Sequence, residues 1–329
     1  MFYMPLLIVI LGILLLFVLI AKFKLNAFIS FIIVCVFVGV FQGMELDRIV
    51  EAIQIGMGNT LGFLVMILGL GAMLGKLVSD SGAAQRITSK LVSSFGIKHI
   101  QWAVVVAGFI VGIPMFYSVG FVILIPLVFT IAASTGLPLI YVGLPMLASL
   151  SVTHGFLPPH PAPTAIASMF NADIGKTLLY GIIIAIPTII VAGPLFTRTI
   201  KNIKATPLKE FYNPIVLKDE EMPGMGISLF TTLLPIILIL CSTLFTLFIS
   251  GEFLLKKIIV FIGNPVIAML ISVLVAIYAL GISRGKKMPE LMNSVSSSVS
   301  SITMILLIIA GAGALKQILV ASGVSDYIG

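Results

Sequence analysis

The sequence carries very little charge. Asp, Glu, Lys and Arg make up 9% of its 329 residues, whereas 60% are hydrophobic, and soluble globular domains contain about 25% charged residues. Between His99 and Ala172 there is no Asp, Glu, Lys or Arg at all. Several apolar runs reach the roughly 20 residues that a helix needs to cross a bilayer. The composition therefore excludes a soluble globular protein and predicts an all-α polytopic membrane protein.

Cysteine and histidine are also scarce, which limits the chemistry open to the chain. Cys35 and Cys241 both lie in apolar runs, and no Cys/His spacing typical of a metal site occurs. His154 and His160 have no third ligand nearby in sequence, so we predict neither a metal site nor an enzyme. The net charge of +7 is interpreted as Lys and Arg on cytoplasmic loops, not as a nucleic-acid surface. A channel would need a continuous polar pore lining, against which the charge-free run argues.

Proline is concentrated in one stretch, Ser149–Phe170. Four prolines occur within six residues, at positions 158, 159, 161 and 163, between apolar flanks. Proline lacks a backbone donor and crowds the preceding turn, so a helix cannot continue through this stretch. A helix broken at membrane depth is tolerated only where protein or a water-filled cavity satisfies its backbone, and carriers use such breaks as substrate sites. We predict a broken span at about 137–170, interrupted near Thr153–Pro163.

A second interruption lies in the preceding apolar run, Ile100–Ser134. This run is too long for one span, and the sequence GIPMFYSVG, Gly112–Gly120, stands at its middle. Paired glycines around Pro114 predict two half-helices that meet at a tip, which is a re-entrant hairpin at about 100–134. A kinked helix pair joined by a short loop is the alternative.

The chain contains an internal repeat. Ile67–Ile87 resembles Ile309–Ile328 with one gap, and in both copies two spans, a polar segment and a glycine-rich span follow in order. The predicted first repeat, 1–197, has three spans, the hairpin, the broken span and a closing span at 175–197. A cytoplasmic linker is predicted at 198–226 and three further spans at 227–329. Within the first repeat we predict an interfacial helix at Glu45–Gly56 before a span at Asn59–Val78.

Loop charges give the two copies opposite orientations. With Lys22 and Lys24 in the cytoplasm, Glu45–Gly56 lies outside, whereas its counterpart in the second copy, Arg284–Lys287, lies inside. This is an inverted-topology repeat. Lys256 and Lys257 fall outside, against the rule. Since the second copy stops before any counterpart of the hairpin or broken span, we expect the sequence to be a fragment or a truncated product.

Four segments, at 112–129, 151–167, 171–181 and 185–196, resemble the gluconate permease family of proton symporters. The most specific of them is THGFLPPHP, Thr153–Pro161. The resemblance implies a multi-pass protein of the cell (inner) membrane that takes up gluconate or a related hydroxy acid. It also implies a homodimer with an elevator-like movement, no cofactor, and the proton as coupling ion. Ser118 stands where we expect an acidic residue in many members, and Ala162 stands where we expect glycine. A D-serine or other organic-acid carrier, and a non-transporting membrane subunit, are the alternatives.

A sugar acid offers one carboxylate and several hydroxyl groups. The amino termini of half-helices supply N–H groups for the carboxylate, and Ser and Thr side chains can bind hydroxyls. His154 and His160 are candidates for carrying the proton; alternatively, each imidazole only satisfies a freed carbonyl. The predicted substrate contacts are Gly112, Pro114, Tyr117, Ser118, Gly120, Ser151, Thr153, His154, Gly155, Pro158, Pro159, His160 and Thr164.

Overall fold

The computed structural model describes residues 4–200, 203, 217–249, 251 and 253–325. In these ranges all regular structure is helical. The α-helices are α1 (Met4–Ala21), α2 (Ala27–Phe41), α3 (Leu46–Asp80), α4 (Ala83–Phe95), α5 (Ile100–Gly112), α6 (Tyr117–Thr135), α7 (Leu139–Phe156), α8 (Pro161–Met169), α9 (Ile174–Ile190), α10 (Phe196–Thr199), α11 (Met225–Phe248), α12 (Leu254–Ile262), α13 (Pro265–Ala276) and α14 (Met288–Ala321). Eight helical segments of the described part are long and apolar enough to cross a bilayer; α7 with α8, and α9 with α10, each count as one segment. The predicted all-α polytopic membrane protein is confirmed.

Two helices are longer than the sequence predicted. The interfacial helix expected at Glu45–Gly56 and the span expected at Asn59–Val78 form one helix of 35 residues, α3. The prediction of a separate interfacial helix was wrong, because no proline or cap interrupts the chain between the two predicted segments. The last span begins at Met288, not at about Ile302. Its serines do not end the helix, because hydroxyls such as those of Ser297 and Ser298 donate to carbonyls one turn back.

The chain forms two compact units. One comprises the described residues up to Met66 together with those from Ser301 onward. In this unit α3 and α14 approach so closely that a side chain at Gly56 would meet the backbone of Gly313. Glycine at position 56 permits this approach. The other unit is Ile67–Ser300 and contains both predicted breaks. These units are a different division from the predicted sequence repeats, which remain a prediction.

Small residues bring α5 and α7 together in the second unit. A Cβ atom on Gly108 would lie 2.9 Å from the Met146 carbonyl oxygen, and one on Gly112 would overlap the Thr153 hydroxyl. Gly108 and Gly112 are four residues apart on α5, as are Ser149 and Thr153 on α7, so small residues face small residues across the crossing. The buried Ser149 hydroxyl also donates to the Val105 carbonyl, at 2.8 Å.

Proline inside α7 leaves a carbonyl that a side chain satisfies. Pro145 has no N–H to give to the carbonyl of Tyr141, four residues earlier. Gln101 Nε2 on α5 donates to that carbonyl instead, at 3.1 Å. Because a polar side chain within an apolar span is costly unless bonded, this contact explains why glutamine is tolerated there.

A polar cluster joins segments that the sequence places in the cytoplasm. The buried Arg86 guanidinium donates from Nη1 to Asp219 Oδ1 at 2.6 Å, from Nη2 to the Asp219 carbonyl and from Nε to the Pro223 carbonyl at 2.8 Å. Arg284 donates to the Glu221 carbonyl at 2.9 Å. Three predicted cytoplasmic segments therefore lie at one end of this unit, as one side of a membrane requires. Residues 201–202 and 204–216 of the predicted linker lie outside the described residues.

Candidate substrate site

The two predicted interruptions are real breaks in helices and lie side by side. α5 ends at Gly112 and α6 begins at Tyr117. α7 ends at Phe156 and α8 begins at Pro161, with a cis peptide bond between Pro158 and Pro159. A further bend of 111° separates α4 from α5. For the break between α5 and α6, a re-entrant hairpin stays a prediction, and a helix pair joined by a short loop stays its alternative.

An imidazole pair links the two breaks. His160 is buried, with 3% of its surface exposed, and its Nε2 lies 2.9 Å from the Gly112 carbonyl oxygen. His160 Nδ1 lies 3.1 Å from Nδ1 of the half-buried His154. The ring of Phe116, from the tip between α5 and α6, packs edge-on against both imidazoles, with centroid distances of 6.1 and 6.4 Å.

These contacts determine where each neutral imidazole carries its hydrogen. A carbonyl oxygen only accepts, so His160 Nε2 donates to Gly112 and His160 Nδ1 is an acceptor. His154 must then donate its Nδ1–H to His160. His154 Nε2 is left without a hydrogen, and it is the ring nitrogen of the pair that can accept a proton with both hydrogen bonds intact.

The amino termini at the two breaks are not equivalent. α8 begins with Pro161 and Pro163 among its first three residues, and proline has no N–H group. Of those three positions only Ala162 has an N–H. α6 begins with Tyr117, Ser118 and Val119, all of which have N–H groups that precede the first intrahelical bond, Gly120 N–H to the Phe116 carbonyl, at 3.0 Å. The α6 terminus is therefore the better anion site.

The hydroxyl groups near the breaks also differ. Thr153 is buried and donates to carbonyls of its own helix, those of Ser149 at 3.1 Å and Leu150 at 2.9 Å. Thr164 is buried too, but its Oγ1 has no hydrogen-bond partner among the described residues. Ser118 and Ser151 are exposed. Thr164 therefore has the one buried hydroxyl of this set that no described protein group satisfies.

The other predicted contacts occupy varied surroundings. Pro158 and Pro159 are buried, and Tyr117 is half-buried and stacks on Phe121. Pro114 faces α3, because a Cβ on Gly75 would lie 2.6 Å from the Pro114 carbonyl oxygen. Gly120 is buried against Leu150, whereas Gly155 is exposed and has open space beside it.

Two features of the site region were missed from sequence. Gly108 was not singled out, although the spacing GFIVG matches a known packing motif. Thr232 on α11 was also missed; its hydroxyl is fully buried and has no hydrogen-bond partner in the described part of the chain. A threonine in an apolar span resembles any other, so no sequence signal could have separated Thr232 from its neighbours.

Comparison with known proteins places the chain in a family. The model of the GntP family permease matches residues 4–329. The high-affinity gluconate transporter of Escherichia coli K12 is 51% identical over 325 residues, which are 99% of this chain and 74% of that protein. The Gnt-II system L-idonate transporter of the same organism is 49% identical over equal shares of both chains. The gluconate permease of Bacillus subtilis 168 is 50% identical, covering 99% of this chain and 75% of that protein.

These relatives cover nearly the whole chain at about half identity, and the helices are those of a polytopic protein. The prediction of a transporter rather than an enzyme is confirmed. The prediction of a multi-pass protein in the cell membrane is confirmed as well. The relatives also bear out the resemblance carried by the THGFLPPHP segment. The chain belongs to the GntP family of permeases.

Proposed function

We propose that this permease takes up gluconate or a closely related sugar acid together with protons, and that the substrate binds where the two helix breaks meet. The observation that carries the proposal is the His154–His160–Gly112 chain, in which a buried and a half-buried imidazole join both breaks. An ionisable pair inside a membrane protein is costly and marks a functional pathway. The relatives named as gluconate and L-idonate transporters supply the substrate class.

The substrate carboxylate is proposed to bind at the α6 terminus. Its free N–H groups belong to Tyr117, Ser118 and Val119, and no acidic side chain lies in the first turn. The helix dipole adds partial positive charge there. Ser118 is uncharged, so its side chain places no fixed negative charge opposite the carboxylate. Thr164, with its unsatisfied buried hydroxyl, is proposed to bind a substrate hydroxyl.

The proton is proposed to enter at His154. Its Nε2 accepts a proton while its Nδ1–H continues to donate to His160, so the imidazolium forms without breaking the link to Gly112. An imidazolium beside the break favours a bound carboxylate, and the carboxylate in turn favours the imidazolium. This mutual stabilisation is a physical basis for moving the proton and the acid together.

The assembly is proposed from resemblance alone. Members of the wider ion-transporter group suggest a homodimer in which one domain carries the substrate by an elevator-like movement. The mass of the detergent-solubilised chain, corrected for bound detergent, tests the dimer; a mass of a single 35.1 kDa chain would contradict it.

Uptake into proteoliposomes tests the function. The purified chain is reconstituted, a pH gradient that is acid outside is imposed, and labelled gluconate, L-idonate and D-serine are compared. We expect accumulation of the sugar acids that a protonophore abolishes. Uptake that does not depend on the pH gradient would contradict proton symport. Transport of D-serine but not of gluconate would contradict the proposed substrate class.

A further inference from the structure

Two buried hydroxyls stand apart from the others in the described part of the chain. Thr164 Oγ1 and Thr232 Oγ1 are the buried side-chain polar atoms there that have no hydrogen-bond partner. Comparable buried hydroxyls in helices, such as those of Thr88 and Ser272, donate to a carbonyl four residues earlier, at 2.9 and 2.6 Å. Because an unsatisfied buried hydroxyl is costly, the two exceptions need a reason. Thr164 already belongs to the proposed site, and Thr232 does not.

Thr232 lies on α11 one helical turn from a cluster that contains residues of both helix breaks. It precedes Ile236 on α11 by four residues, so the two side chains share one face of the helix, about one turn apart. Ile236 packs in the same buried cluster as Ile113, which follows Gly112, and Leu157, which follows Phe156. Ile236 therefore links the helical turn that carries Thr232 to the cluster that contains both breaks.

A backbone group beside Thr232 is also left without its usual partner. Pro235 lies inside α11 and has no N–H for the carbonyl of Thr231, four residues earlier. In α7 the carbonyl freed by Pro145 receives a hydrogen bond from Gln101. In α11 the freed carbonyl belongs to the residue that precedes Thr232, so two adjacent residues of this helix offer an acceptor and a donor.

We propose that Thr232 is a further substrate contact, with its hydroxyl and the Thr231 carbonyl binding a hydroxyl group of the sugar acid. The inference rests on the proposed function and extends it to α11, which the sequence assigns to the second repeat. A substrate hydroxyl both donates and accepts, so it satisfies this pair, whereas a simple alkyl carboxylate does not. Thr232 thereby selects polyhydroxy acids over unsubstituted acids of the same length.

Three variants of the chain test the proposal. T232V removes the hydroxyl and keeps the shape, T232S keeps the hydroxyl, and T88V is a matched control whose lost hydroxyl is equally buried but bonded within its own helix. The KM for gluconate uptake is measured for each, together with inhibition by gluconate analogues that each lack one hydroxyl. Thermal unfolding in detergent is measured alongside.

T232V should raise the KM for gluconate about tenfold, and T232S and T88V should leave it within about twofold. One analogue should lack the hydroxyl that Thr232 contacts. T232V and the wild type should bind this analogue equally well, because neither protein can form the contact with it. T232V should unfold at the same or a higher temperature than the wild type, since it loses an unsatisfied polar group. If the threonine were only structural, T232V would lower the unfolding temperature and leave the ranking of the analogues unchanged.

Two results would overturn the inference: an unchanged KM for T232V, or an equal rise in KM for T88V. In either case wild-type gluconate uptake still stands, so only the role of Thr232 fails. If the wild-type chain takes up no sugar acid, the proposed function fails first and the inference falls with it.

Discussion

His160 Nε2 and the carbonyl oxygen of Gly112 lie 2.9 Å apart although 48 residues separate them in sequence. Gly112 is the last residue of α5, where helix carbonyls lack intrahelical donors. The buried imidazole therefore caps one broken helix from the other break. His160 therefore satisfies a freed carbonyl, and the proton-carrying role of His154 stays a prediction.

His154 should be needed for coupling more than for folding. Replacing it with glutamine removes the titratable nitrogen but leaves His160 bonded to Gly112, so we expect gradient-driven accumulation to be lost while thermal unfolding changes little. The measurement is uptake in proteoliposomes with and without a pH gradient. His99→Gln is the control, because His99 is exposed at the start of α5. Full accumulation by His154→Gln would reject the proton-carrying role.

Gly112 should not tolerate a side chain. A Cβ atom there overlaps the Thr153 hydroxyl and lies 3.2 Å from Leu150 Cδ2, so Gly112→Ala should force α5 and α7 apart and destabilise the chain by about 1–3 kcal/mol. Thermal unfolding in detergent measures the change. Gly62→Ala is the matched control, because no atom lies within 4 Å of its added methyl group and alanine favours the helix. Equal unfolding temperatures for both variants would show that the close crossing is not required.

Gln101 and Pro145 should show coupled effects. Gln101→Met removes the donor to the Tyr141 carbonyl and should lower stability by about 1–2 kcal/mol. Pro145→Ala restores a backbone N–H that can reach the same carbonyl, so the double variant should lose less than the sum of the two single changes. The four unfolding temperatures of the cycle test this. Simple additivity would mean that Gln101 does not act through that carbonyl.

The contacts that Arg86 makes with residues 219–223 should depend on the shape of its guanidinium and not only on its charge. It donates to an exposed carboxylate and to two backbone carbonyls near residues 219–223, and an ammonium group cannot reproduce this fork. Arg86→Lys should cost about 2 kcal/mol and make the chain around Leu217–Pro223 more sensitive to limited proteolysis. Asp219→Asn keeps an acceptor and should change cleavage much less. Identical cleavage of Arg86→Lys and wild type would contradict this anchor.

Local signals in the sequence were reliable where proline and glycine dominate. The breaks expected near Thr153–Pro163 and Gly112–Gly120 are observed at 157–160 and 113–116, because the conformational limits of these residues act within one or two turns. The boundary expected between Gly56 and Asn59 failed for a related reason. Glycine and asparagine there only weaken a helix, and neither must end one.

The membrane class, the helix breaks and the resemblance to the family could be read from the sequence, because hydrophobic length, proline geometry and a specific motif are properties of the chain alone. Packing of the helices was needed to show that His160 reaches Gly112 and that the Thr232 hydroxyl has no described partner. Each of these depends on which helices lie side by side. Spacing along the chain cannot give that information, since hydrogen bonds between distant residues form only after the helices have packed.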